Sequence, residues 1–198
     1  MSLMDQLTQV VASQVAQQAS KKIGLSQGMA EKMMPMAMAA LMGGLNKNAA
    51  SQQGAQALNS ALSKHDGSLL NNMSQLADDN VMADGQKILG HILGGKQNQT
   101  QSALAKAAGV DQGQMGQLLA MAAPALLASL GKAKQEQGLD ASALSGLLSQ
   151  GAQQAKQQGP SELGGLMQFL DQDGDGDFKD DLLEGAGKKL LGSLFGKR

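Results

Sequence analysis

The chain offers almost nothing from which to build a β-sheet. Alternating runs of β-branched or aromatic residues are absent, Trp and Tyr do not occur, and there are three Phe among 198 residues. Ala, Leu, Gln, Met and Lys dominate instead, and these side chains lose little on entering a helix. The core must therefore be packed from Leu, Ala and Met, with Gly where helices approach closely. The fold class that follows is all-α. The same shortage of aromatics disfavours stacking on bases or sugars.

Helix punctuation organises the first 155 residues. Leu3, Leu7, Val10, Val11, Val15 and Ala19 form a stripe at helical spacing, which predicts a helix over about 3–22 that Gly24 ends. Ser26 is placed to N-cap a second helix running to about Leu45. Pro35 inside it lacks a backbone donor, so it should kink the helix or mark a break. Shorter helices are expected near 50–64, 67–77 and 80–93, closed by Gly94-Gly95. Residues 96–110 begin as a polar linker and turn helical. Asp111 caps a long helix to about Leu130, and Asp140 caps another over about 141–154. The Gln/Gly stretch 152–162 reads as a hinge. The chain thus divides into a helical body, 1–155, and a C-terminal module, 156–198.

The body contains a candidate duplication. At an offset of 85, Gly24-Leu25-Ser26-Gln27-Gly28 falls on Gly109-Val110-Asp111-Gln112-Gly113, Met36-Ala37 on Met121-Ala122, and Ala40-Leu41 on Ala125-Leu126. Pro35 and Pro124 are one helical turn out of step. The expectation is two related helical hairpin units, about 20–60 and 105–150, packed as a bundle. Together they bury faces that one alone could not.

Residues 171–182, DQDGDGDFKDDL, carry the sharpest chemical signal. A twelve-residue EF-hand loop supplies oxygens from positions 1, 3, 5, 7, 9 and 12, with Gly at 6. Here Asp171, Asp173 and Asp175 stand at 1, 3 and 5, Gly176 at 6, and Asp177 at 7, where the backbone carbonyl coordinates. Phe178 at 8 is apolar, as an inward-packing residue should be. Leu166, Met167 and Leu170 precede the loop on one helix face, and Leu183, Leu190, Leu191, Leu194 and Phe195 follow it. Position 12 departs from the pattern: it is Leu182, not Glu, so Asp180 or Asp181 must replace the missing carboxylate, with Glu184 more distant. Residues 171–184 hold seven of the seventeen acidic residues and one Lys. Such crowding repels strongly, and a divalent cation relieves it. A solvated acidic turn at a helix N-terminus is the plainer alternative. The ordered D-x-D-x-D-G with matched flanks favours an ion, Ca²⁺ ahead of Mg²⁺, because Mg²⁺ demands a tighter octahedron.

The last fourteen residues, GAGKKLLGSLFGKR, carry four cations and no acid. They read as a terminal helix docked on the body, or alternatively as an amphipathic helix drawn to anionic membrane. The expected module is an EF-hand-like helix–loop–helix with this basic tail. The N-terminus lacks a signal-peptide pattern, and 118–130 is too short and Ala-rich for a membrane span. A cytoplasmic chain is expected, with leaderless export left open. A net charge of −1 gives no field for nucleic acid. Cys is absent, which excludes disulfides and thiolate sites.

No catalytic constellation stands out. His65, Asp66 and His91 could ligate a metal only if the fold joined them. His91, between apolar residues, reads as a half-buried core histidine, and His65 as a helix-end residue. Gly-rich MGGL (42–45) and LGGK (93–96) lack the strand-then-helix setting of phosphate loops. Met29, Met33, Met34, Met36, Met38 and Met42 share one predicted helix; they read as core filling ahead of an adaptable groove for partner helices.

Several stretches resemble one family. PMAMAALMGGL, APALLASLG, HDGSLLNN, DGQKILGHILGGKQ and LLEGAGKKLLGSLF are similar to patterns of the bacterial YidB-like family, also grouped as domain of unknown function 937. Some members carry a similar acidic loop, in which a small Ser is common where Asp177 stands. The resemblance implies a helical bacterial protein and transfers no activity or catalytic residue. The combined expectation is a non-enzymatic Ca²⁺-binding helical protein with a structural or interaction role. A protein partner or a membrane surface met through the tail remains open, and nothing in the sequence sets an oligomeric state.

Overall fold

The computed structural model describes residues 3–158, which belong to the first of two units, Met1–Gly159 and Pro160–Arg198. Among the described residues there are seven α-helices and no strands. They are α1 (Leu3–Ile23), α2 (Gln27–Ala49), α3 (Gln52–Lys64), α4 (Asp79–Leu93), α5 (Gln97–Ala108), α6 (Gln112–Gln137) and α7 (Ala141–Gln158). Short 3₁₀ turns cover Ser68–Asn71, Met73–Ala77 and Gly94–Lys96. The all-α expectation holds.

Helices α2 and α6 form the centre. α1 lies against both, α4 and α5 pack on α6, and α7 packs on α2 and α3. Every residue from Leu118 to Gly131 in α6 is buried. A helix apolar on all sides is stable only when surrounded. By length and composition α6 could cross a membrane, yet 83% of its apolar window is buried among the other helices, as in a core helix. In α2, Met33, Met34, Met36, Met38 and Met42 are buried and only Met29 is exposed. These methionines fill the core. Unbranched thioether side chains suit a core that has no aromatics to fill gaps.

The starts of α2 and α6 are built alike. Gly24 and Gly109 adopt the left-handed conformation just before each. Ser26 Oγ then accepts from Met29 N, and Asp111 forms a full capping box with Gln114.

The two helices treat their prolines differently. α2 continues helically through Pro35, so the chain does not break there. Pro35 and Glu31 are both exposed, so the Glu31 carbonyl, deprived of its donor, is on the wet side of the helix. Pro124 is buried, and the Ala120 carbonyl it deprives lies in the core. There Gly85 of α4 packs so tightly that a Cβ on it would overlap Ala120 O. The Gly85 Cα–H group covers the carbonyl that Pro124 leaves without a partner, a weak C–H···O contact in place of a helix hydrogen bond.

A second close approach seats α3 on α6. A Cβ on Gly131 would overlap His65 O, at the end of α3. Lys134 Nζ donates to Asn59 O and Ser63 Oγ, both at 2.8 Å, and adds a polar tie between the same helices. On the other side of the body, Asn48 Nδ2 donates to His91 O (2.9 Å) and Ile92 O (3.2 Å). These are last-turn carbonyls of α4 that have no partner within the helix.

Candidate functional site

The six predicted metal ligands, Asp171, Asp173, Asp175, Asp177, Asp180 and Asp181, lie outside the described residues, as do Leu182 and the basic tail. Among the described residues no three His, Cys, Asp or Glu side chains come together as a metal-holding group. His65, Asp66 and His91 are therefore not assembled into a site. His65 caps the end of α3 beside Gly131. His91 is exposed on α4, and this corrects the expectation of a half-buried core histidine. The apolar neighbours that suggested burial, Ile88, Leu89 and Ile92, point to the core, while position 91 falls on the outer side of the same helix.

The Gly-rich segments hold no phosphate loop. Gly43 and Gly44 continue α2, with Gly44 set against Ile92, whose Cγ2 would lie 2.6 Å from an added Cβ. Gly94 ends α4 with φ of 55°, and Gly95 and Lys96 complete a 3₁₀ turn that runs into α5.

Two exposed carboxylates are held below their ordinary range. Asp66 is lowered by the backbone N–H of Ser68, which donates to its Oδ1 at 3.0 Å in an Asx turn after α3. Asp79 is lowered by Lys22, whose Nζ donates to its Oδ1 at 2.8 Å. Both are surface arrangements and hold the ends of helices. Asn48 and Lys134, whose side chains reach backbone carbonyls of distant helices, were not singled out in the sequence. An Asn and a Lys near helix ends are too common there to signal a long-range partner.

This is an all-α body wound around two apolar helices, with its polar chemistry at helix ends. The model of a family described as bacterial protein of unknown function (DUF937) matches residues 5–133, and the chain belongs to that family. No curated protein and no solved structure matches the chain.

Proposed function

We propose that this is a non-enzymatic calcium-binding helical protein of the YidB-like group, in which the body 1–155 carries a variant EF-hand-like loop at 171–182. The observation that carries this reading is the order Asp171-x-Asp173-x-Asp175-Gly176, followed by the Asp177 carbonyl at position 7. Asp180 or Asp181 takes the place of the position-12 Glu that Leu182 does not supply. Charge supports it: the five cations of residues 159–198 face eight acids, seven of them within 171–184. Ca²⁺ then orders the C-terminal module, as structural cement or as a sensor that meets a protein partner. The body is proposed to derive from two related units, consistent with the matching starts of α2 and α6.

Isothermal titration of Ca²⁺ and Mg²⁺ into the full chain tests this. Saturable Ca²⁺ binding is expected, weaker for Mg²⁺ and lost in Asp171→Ala/Asp175→Ala. A silent titration of the unmodified chain sinks the proposal. The second reading, a membrane-associated protein, is favoured by the four cations and no acid of 185–198. Co-sedimentation with anionic vesicles should then fall when that tail is removed.

A further inference from the structure

The chain has no Cys, Trp or Tyr, so the thioethers of its thirteen methionines are the side chains most open to two-electron oxidation. Among the described side chains, ten are methionines, and they fall into three groups. Met33, Met34, Met36, Met38 and Met42 of α2, with Met115 and Met121 of α6, are all between 0% and 6% exposed. Met73, in the 3₁₀ turn before α4, and Met82, in the first turn of α4, are half-buried. Met29 is exposed, at 36%.

Position 29 can take a new oxygen at little cost. Met29 serves the start of α2 through its backbone N–H, which donates to Ser26 Oγ at 3.2 Å, and its thioether takes no part in that cap. Gln27, Gly28, Glu31 and Lys32 around it are exposed as well. A sulfoxide there is solvated and within reach of methionine sulfoxide reductases. The core is the opposite case. The residues buried in α2 and α6 are nearly all Leu, Ala and Met, which offer a sulfoxide oxygen no side-chain donor. An oxygen placed there is penalised as any unpaired buried polar group is.

We propose that Met29 is the peroxide-reactive site of the folded body, and that the seven core methionines form a second tier that reacts only when the body opens. In both tiers an Sδ lone pair attacks one oxygen of hydrogen peroxide. The S–O bond forms as the O–O bond breaks, and the second oxygen leaves with both protons as water. The sulfur is oxidised by two electrons and the peroxide reduced by two. At Met29 this is a surface change that a reductase can reverse. In the core it closes the way back, because a chain oxidised while open cannot repack α2 against α6. The inference stands whether or not the acidic loop binds an ion.

Dilute hydrogen peroxide added to the full, unmodified chain is the test, read site by site with peptide mass spectrometry at timed intervals. Among the ten methionines Met29 should be oxidised first, and Met73 and Met82 next. The seven core residues should react at least about 100-fold more slowly than Met29, because they wait on opening. Sub-denaturing urea should speed the core sites in step with the unfolded population and leave the Met29 rate unchanged. Protein oxidised at Met29 alone should keep its helical circular dichroism and refold from urea. Protein oxidised in the core should not regain that signal when urea is removed. Core methionines that react as fast as Met29 without urea, or at rates that urea does not move, overturn the proposal. So does a Met29 that lags Met73 or Met82, and so does a core-oxidised chain that refolds.

Discussion

Helices α2 and α6 are the two apolar centres of the body, and each contains a proline at which a carbonyl loses its helix donor. In α2 the deprived carbonyl belongs to Glu31, an exposed residue beside exposed Pro35, on a side of the helix open to solvent. In α6 it is Ala120 O, in the core, where a buried carbonyl without a partner costs about 1–3 kcal/mol. The neighbouring helix answers it: Gly85 brings α4 down onto that atom. The same residue type is therefore tolerated by solvation in one helix and by close packing in the other. The second solution ties the sequence of α4 to the sequence of α6, and the first ties nothing.

The largest effect should come from breaking that tie. Gly85→Ala sets a Cβ against the backbone of α6, and backbone cannot swing aside as a side chain can. A loss of about 3 kcal/mol or more is expected in denaturant unfolding, at the upper end of overpacking. Adding Pro124→Ala restores an N–H toward Ala120 O. If α4 is lifted off by the new methyl, that N–H takes over the carbonyl and part of the loss is recovered. A double-mutant cycle should show coupling of more than about 0.5 kcal/mol. Additive effects would mean that the proline and the glycine are independent, and the pairing would be wrong.

Pro35→Ala sharpens the other half of the comparison. It returns a hydrogen bond to an exposed helix and removes a ring clash, against a small gain in the entropy of the unfolded chain. A stabilisation of about 1 kcal/mol is expected. A destabilisation of that size would mean that Pro35 shapes α2 in a way its exposure hides.

Much of this fold was legible in the sequence, because the punctuation is chemical. Gly24 with Ser26 and Gly109 with Asp111 mark the starts of α2 and α6 to within a residue. The misses have local causes. Residues 67–77 were expected as one helix and form two 3₁₀ turns: Asn72 sits at φ −142°, ψ 73°, and its side-chain oxygen accepts from Ser74 Oγ, so local polar bonds compete with the helix. Residues 97–100 were expected in a polar linker and begin α5, whose buried face, Gln101, Leu104 and Ala105, comes one turn later. α6 runs to Gln137, past the expected end at Leu130, because Gly131 stays helical, packed against His65 O, and the left-handed turn comes only at Gly138. The Gly85–Pro124 pair could not be read at all. Each residue alone looks like a helix defect, and only the crossing of α4 over α6 makes them complementary. The acidic loop was the clearest motif, because its candidate ligands fall within one twelve-residue stretch and need no tertiary contact to be recognised.

The smallest effect separates packing from surface charge in seating α4. Asp79, in the first turn of α4, takes a hydrogen bond from Lys22 at the end of α1, and this holds its carboxyl below the usual value of 3.8. A folded-state pKa lower than the unfolded one contributes stability above the unfolded value and loses it as pH falls through the folded value. The difference between the unmodified chain and Asp79→Asn should therefore be level from neutral pH to about 4 and shrink below that. It should also be slight throughout, because the Asp79 side chain is 92% exposed and the pair is screened by solvent. Unfolding curves between pH 3 and 7 measure it. If Asp79→Asn proved as damaging as Gly85→Ala, the ion pair would be what seats α4 on α6. The covered carbonyl of Ala120 would then be a consequence of that seating and not its cause.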